Sequence, residues 1–119
     1  MNPSDYRHSR PADLLETVGG DRATFALLVD IFKRDTADKL DGMRRALAQG
    51  DRVQLGFHTH AMKGTVGPTG ADVLLRQLAD LEAACRDPQG SVDLRTLDDI
   101  ERQAAEIREE LERFGANAG

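Results

Sequence analysis

Apolar residues along this chain recur every three or four positions, the period of amphipathic helices, and no stretch alternates long enough for a half-buried strand. Residues 11–17 read as a short helix closed by Gly19-Gly20. Asp21 then caps a long helix to about Gln49, with Phe25, Leu28, Val29, Phe32, Leu40, Met43 and Leu47 on its apolar face. Gly50 is a stop and Asp51 a cap for a third helix over 52–67, whose core side reads Leu55, His58, Met62 and Val66. Pro68 ends it, because proline has no N–H to continue the hydrogen-bond ladder. A fourth helix from about Gly70 to Arg86 buries Leu74, Leu75, Leu78, Leu81 and Cys85, and Asp87-Pro88-Gln89-Gly90 is a turn. The fifth starts near Ser91 and sets Leu97, Ile100, Ala104, Ile107, Leu111 and Phe114 in one stripe, leaving the last five residues frayed. Short connections imply antiparallel neighbours. The expected fold is an all-α, up-down antiparallel four-helix bundle with a short extra N-terminal helix. Residues 1–10 are expected as a flexible tail and 11–115 as the bundle.

Composition narrows the setting. With 119 residues the chain suits one domain, and 31% charged against 39% hydrophobic residues is a globular balance. Sixteen Lys and Arg against 21 Asp and Glu give a net charge of -5, which offers no basic footprint for nucleic acid and disfavours anionic membranes. One cysteine, Cys85, rules out an intramolecular disulfide and fits a reducing cytoplasm; on the apolar face of helix four it reads as an inert buried thiol. Residues 1–10 lack the apolar core of a signal peptide, and no run reaches the roughly 20 apolar residues that span a bilayer. The expectation is a cytoplasmic protein, and Met1 with the short tails favours one that stands alone.

The third helix carries the unusual chemistry. On one face it aligns Gly56, His60, Lys63, Gly64 and Gly67, although each interior glycine weakens a helix by about 1 kcal/mol against alanine. Neutral imidazole is a nucleophile near neutral pH. A phosphoryl group on its outer nitrogen would sit within reach of the Lys63 ammonium, and Gly64 lacks the Cβ that would crowd it. Gly56 clears the other side for a partner's backbone. The same residues also fit a plainer account, in which the glycines serve close helix packing and His60 is an incidental surface histidine.

The stretch Phe57 to Ala71, FHTHAMKGTVGPTGA, resembles the signature of histidine-containing phosphotransfer (HPt) domains, roughly Ala-His-x-Leu-Lys-Gly, five variable positions, then Gly-Ala. His60, Lys63, Gly64, Gly67, Gly70 and Ala71 stand in matching register. Leu27 to Asp51, LLVDIFKRDTADKLDGMRRALAQGD, is similar to the long helix and Gly-Asp turn that precede the histidine in that family. The likeness covers about residues 14 to 113. Thr59, Met62 and Pro68-Thr69 depart from the commonest pattern; Met for Leu conserves volume, and Pro68-Thr69 bears on the turn that ends the helix.

The resemblance implies that His60 is phosphorylated, Lys63 stabilises the phosphoryl oxygens and Gly64 gives steric access. It implies a carrier between aspartates of response-regulator receiver domains, downstream of a hybrid sensor histidine kinase. No cofactor is expected, Mg²⁺ being brought by the receiver. Nothing resembles an ATP-binding loop, so a stoichiometric carrier rather than a kinase is expected. The alternative is a helical adaptor that binds a receiver or kinase without carrying phosphate. A metal site on His58 and His60 is disfavoured, because residues two apart on a helix point about 200° from each other. His58 reads instead as a partly buried, hydrogen-bonded structural residue, and His8, in the tail, takes no role.

The docking surface is expected to include Val53, Gly56, Phe57 and Gly67 beside His60. A hairpin turning at 50–51 sets residue 41 level with 60, which adds Asp38, Asp41 and Arg45 of the long helix. On helix five, Glu101, Arg102, Glu106, Arg108, Glu109, Glu110, Glu112 and Arg113 read as a solvated face.

Overall fold

The computed structural model describes residues 6–117. These form five α-helices and, among the described residues, no strand: α1 (Pro11–Thr17), α2 (Arg22–Ala48), α3 (Arg52–Val66), α4 (Asp72–Arg86) and α5 (Leu94–Asn117).

Local chemistry sets most of the boundaries. Gly19 and Gly20 take φ of 67° and 77°, a left-handed backbone that releases α1 into the next turn. The Asp21 carboxylate accepts from the Ala23 N–H at 3.1 Å and from the Thr24 hydroxyl at 2.9 Å, covering free donors at the start of α2. Gly50 (φ 67°) ends that helix region, and Asp51 accepts from the Gln54 N–H at 3.0 Å to begin α3.

Two starts differ from the periodicity. After Val66 the chain tightens into a 3-10 turn over Gly67–Thr69, and Gly70 is left-handed (φ 72°), so α4 starts at Asp72 rather than near Gly70. On the other side, α5 starts at Leu94 rather than Ser91, because Asp93 accepts from both the Thr96 N–H (3.0 Å) and hydroxyl (3.1 Å). The helix then continues through Asn117, past the expected fraying; residues 118–119 lie outside the described residues.

α3 packs against both α2 and α4, and α2 packs against α5. Between them lie Met43, Leu55, Met62, Leu74, Leu78, Leu97, Ile100, Ile107 and Leu111, all but removed from solvent. Each such side chain contributes about 1.5–3 kcal/mol by leaving water. Leu28, Leu47, Leu75, Cys85 and Phe114 form a half-buried rim around this core. The core face of α3 is Leu55, Thr59, Met62 and Val66: Thr59 is fully buried where His58 was expected, and its hydroxyl donates to the Leu55 carbonyl at 2.7 Å. That bond lets a threonine occupy an apolar site without an unmet polar group.

Two ties hold the chain outside the helices. Arg52 donates to the Ala84 (3.1 Å) and Asp87 (2.9 Å) carbonyls and to that of Gly90, covering the acceptors left at the end of α4. Residues 6–10, expected in the flexible tail, are pinned; the tail's first five lie outside the described residues. Glu110, expected on a solvated face, is buried and takes the His8 N–H on both oxygens (3.0 and 2.9 Å) and the Ser9 hydroxyl at 2.7 Å. The Tyr6 ring meets Phe114 edge-on at 5.7 Å, and the Arg10 N–H donates to the Thr69 carbonyl at 2.8 Å. His8, given no role in the sequence, lies with Nδ1 3.2 Å from Gln103 Oε1.

Candidate functional site

His60 stands at mid-α3 with its side chain 71% exposed. The helix presents it opposite the buried row of Leu55, Thr59, Met62 and Val66, so core packing fixes the direction in which the ring points. A Cβ placed on Gly64 or Gly67 would meet nothing within 4 Å, which leaves the C-terminal side of the ring open. On the other side Val53 (80% exposed) and Phe57 (67%) put apolar surface into solvent.

A residue absent from the sequence-derived site completes it. Glu82 of α4 lies beneath the histidine with its side chain only 13% exposed. One carboxylate oxygen is 2.8 Å from His60 Nδ1, and the other accepts from Lys63 Nζ at 2.9 Å. Arg86, one turn along α4, approaches to 3.8 Å. The hydrogen bond from Lys63, together with that from His60, holds the Glu82 carboxyl below the usual glutamate range against the opposing effect of burial. The signal was present but weak. A hairpin around 67–71 puts residues near 80 level with His60, and Glu82 lies one turn from both Leu78 and Cys85 on the side facing α3.

The remaining expected positions divide. Gly56 is half-buried, and a Cβ there would lie 3.4 Å from that of Cys85, an ordinary contact distance that marks where α4 comes against α3. Asp38, Asp41 and Arg45 are exposed on α2. Asp41 pairs with Arg45 at 3.2 Å and Asp38 with Lys39 at 3.5 Å. Asp41 also borders a groove between α2 and α5, and the α2 groups in touch with α3 include Asp35, bonded to Thr65, and Gly42.

His58 lies over Gly42, where an added Cβ would come within 3.0 Å of its ring, and stands edge-on to Phe57 at 5.9 Å. Among the described residues its ring has no hydrogen bond, so it is a packing residue and not the hydrogen-bonded one expected. The two histidines of the pair thus face different neighbours, α2 for His58 and α4 for His60. The described residues contain no cluster of three or more metal-ligating side chains, and no helix long and apolar enough to cross a membrane. Cys85 is half-buried, and burial pushes its thiol up, which favours the protonated form.

Fold and site together define an all-helical domain that holds one imidazole, backed by a carboxylate and an ammonium, toward solvent. The Hpt domain family model matches residues 27–117, and the chain belongs to that family, the phosphotransfer domains of two-component signalling. Its fold is similar to the crystal structure of histidine-containing phosphotransfer protein B (HptB) from Pseudomonas aeruginosa PAO1. The TM-score is 0.80 at 23% identity, over 92% of this chain and 96% of that one, a likeness of fold. No curated protein sequence matches the chain.

Proposed function

We propose that this chain is a phosphorelay carrier that takes a phosphoryl group onto Nε2 of His60 from a receiver-domain aspartate and passes it to a second receiver. The observation that carries the reading is the exposed His60 ring with open space beside it at Gly64 and Gly67. In the forward step the Nε2 lone pair attacks phosphorus. The N–P bond forms, the P–O bond to the aspartyl carboxylate breaks, and the carboxylate leaves with the electron pair. Lys63 has three N–H donors, so it can keep Glu82 and still reach the phosphoryl oxygens. The receiver brings Mg²⁺ and most of the electrostatic stabilisation; the carrier brings an oriented nucleophile and no ATP-dependent kinase activity.

The framework in this reading is an up-down antiparallel bundle of α2–α5. Neighbouring pairs such as Gly42 with His58 and Asp35 with Thr65, which run in opposite senses along the chain, support it. Val53 and Phe57 form the apolar part of the docking face, with Gly67 on the far side of His60 and Asp38 and Arg45 at its α2 edge. The setting is the cytoplasm, downstream of a hybrid sensor histidine kinase.

Incubation with a phosphorylated receiver tests the reading. Wild type gains acid-labile label and His60→Gln does not. Equal labelling of both sinks the assignment, and unlabelled wild type that still binds the receiver returns the adaptor reading.

A further inference from the structure

We propose that His58, seated on Gly42, is a positioning residue of the docking face: its ring holds the exposed Phe57 ring in one orientation, so that a receiver meets an apolar anchor already in place. The proposal rests on the docking reading for its consequence, but not for its first half, which concerns the free protein.

Gly42 and His58 fit one another across two helices. Gly42 lies in the interior of α2, is buried, and does not adopt the left-handed backbone of the turn glycines. A glycine there weakens the helix and serves no turn, so what it supplies is the missing Cβ. An added Cβ would come within 3.0 Å of His58 Cε1 and Nε2 and 3.1 Å of Cδ2. The half-buried ring therefore lies directly on the α2 backbone, placed there by packing. It is not what joins the two helices. The bond between Asp35 and Thr65 and the buried Met43, Leu55 and Met62 do that independently.

Phe57 is the side chain that gains from such a support. It is 67% exposed, and a helical phenylalanine left in solvent exchanges between two χ1 wells. The His58 ring stands edge-on to it, with centroids 5.9 Å apart and an interplanar angle of 78°. Aromatic pairs in that range attract each other beyond the area they bury. Gly42 thus fixes His58, and His58 selects one Phe57 orientation. A docking partner then need not immobilise the ring itself, which is how a preorganised aromatic anchor gains affinity. The effect falls on receiver affinity rather than on the chemistry at Nε2 of His60, because His58 faces α2 while His60 faces α4.

Three-bond NMR couplings from Phe57 Cγ to its backbone N and C′ test the first half in the free protein. Wild type shows one dominant χ1 rotamer. His58→Ala shows averaging, and so in smaller measure does Gly42→Ala, whose methyl group displaces the ring from the α2 side. Calorimetric titration with a receiver domain that binds wild type tests the second half. His58→Ala raises Kd roughly 2- to 12-fold, the span of holding one side chain still before docking. In a Phe57→Ala background the same substitution leaves Kd where it was, because His58 acts through that ring. A merely structural role would weaken binding alike in both backgrounds. An averaged Phe57 in wild type, which needs no variant to fold, overturns the proposal. So does an unmoved rotamer in His58→Ala, an unchanged Kd with Phe57 present, or an equal loss in both backgrounds. If no receiver binds wild type, the second half falls with the docking reading. The cycle needs binding and not transfer, so failure of His60 to take any label would defeat the carrier reading and leave this proposal to stand or fall on its own measurements.

Discussion

Gly64→Ala separates what the fold needs from what the site needs. Gly64 lies within α3, and a Cβ there meets nothing within 4 Å, so the methyl group introduces no clash in the isolated protein. Replacing a helical glycine by alanine gains up to ~1 kcal/mol, and near the end of the helix about 0.5–1 kcal/mol. For a domain of this size that is a rise in Tm of roughly 2–6 °C, read by circular dichroism at 222 nm. The methyl group lies one turn beyond His60 on the same open face, in space that phosphoryl oxygens and a docked receiver would use. Strain of about 1–3 kcal/mol in that crowded arrangement slows transfer from a phosphorylated receiver by roughly 5- to 150-fold. The expected variant is more stable and less active. A lower Tm would show that the space is not empty, and transfer at the wild-type rate would show that it is not used.

Glu110→Ala removes the acceptor of the His8 N–H and the Ser9 hydroxyl; a loss of about 1.5–3 kcal/mol is expected in urea denaturation, and a change within about 0.5 kcal/mol would contradict the burial argument. Gly90→Ala drives a Cβ into the Ala84 carbonyl and disturbs the Arg52 clamp. It should destabilise by about 1–3 kcal/mol, with fast amide exchange concentrated at the α4–α5 connection; neutral behaviour would refute the close approach. The Glu82 carboxyl has its folded value lowered, so its stabilisation is complete above the unfolded value of about 4.3 and is lost as pH falls through the lower folded value. The stability gap between wild type and Glu82→Gln should therefore close in urea titrations below that pH. A gap constant down to the acid transition would count against the bond.

The helices were legible because burial imposes their period. Phe25, Val29, Phe32, Leu40 and Met43 on α2, and Leu97 to Leu111 on α5, are buried as their spacing requires. Their ends were legible where a cap residue acts locally, as at Asp21 and Asp51, and less so at α4 and α5, where a left-handed Gly70 and the Asp93 cap moved the start by two or three residues. His60, Lys63 and Gly64 could be found because their chemistry is confined to one helix face. Glu82 was only weakly legible and Glu110 not at all, since each acts on a segment distant in sequence, and a buried acceptor carries the same letter as a solvated surface charge. Gly56 and His58 show the same limit: periodicity gave their side of the helix but not the neighbours, Cys85 and Gly42, against which they lie.

The claim that Nε2 of His60 carries the phosphoryl group is tested most directly by ¹H–³¹P correlation NMR on protein phosphorylated by a receiver. A phosphorus on Nε2 lies three bonds from both ring protons, Hδ2 and Hε1, and the account predicts cross-peaks to both protons of His60. A correlation to Hε1 alone would place the group on Nδ1, against Glu82, and would contradict the account, as would correlations to the ring of His58 or His8.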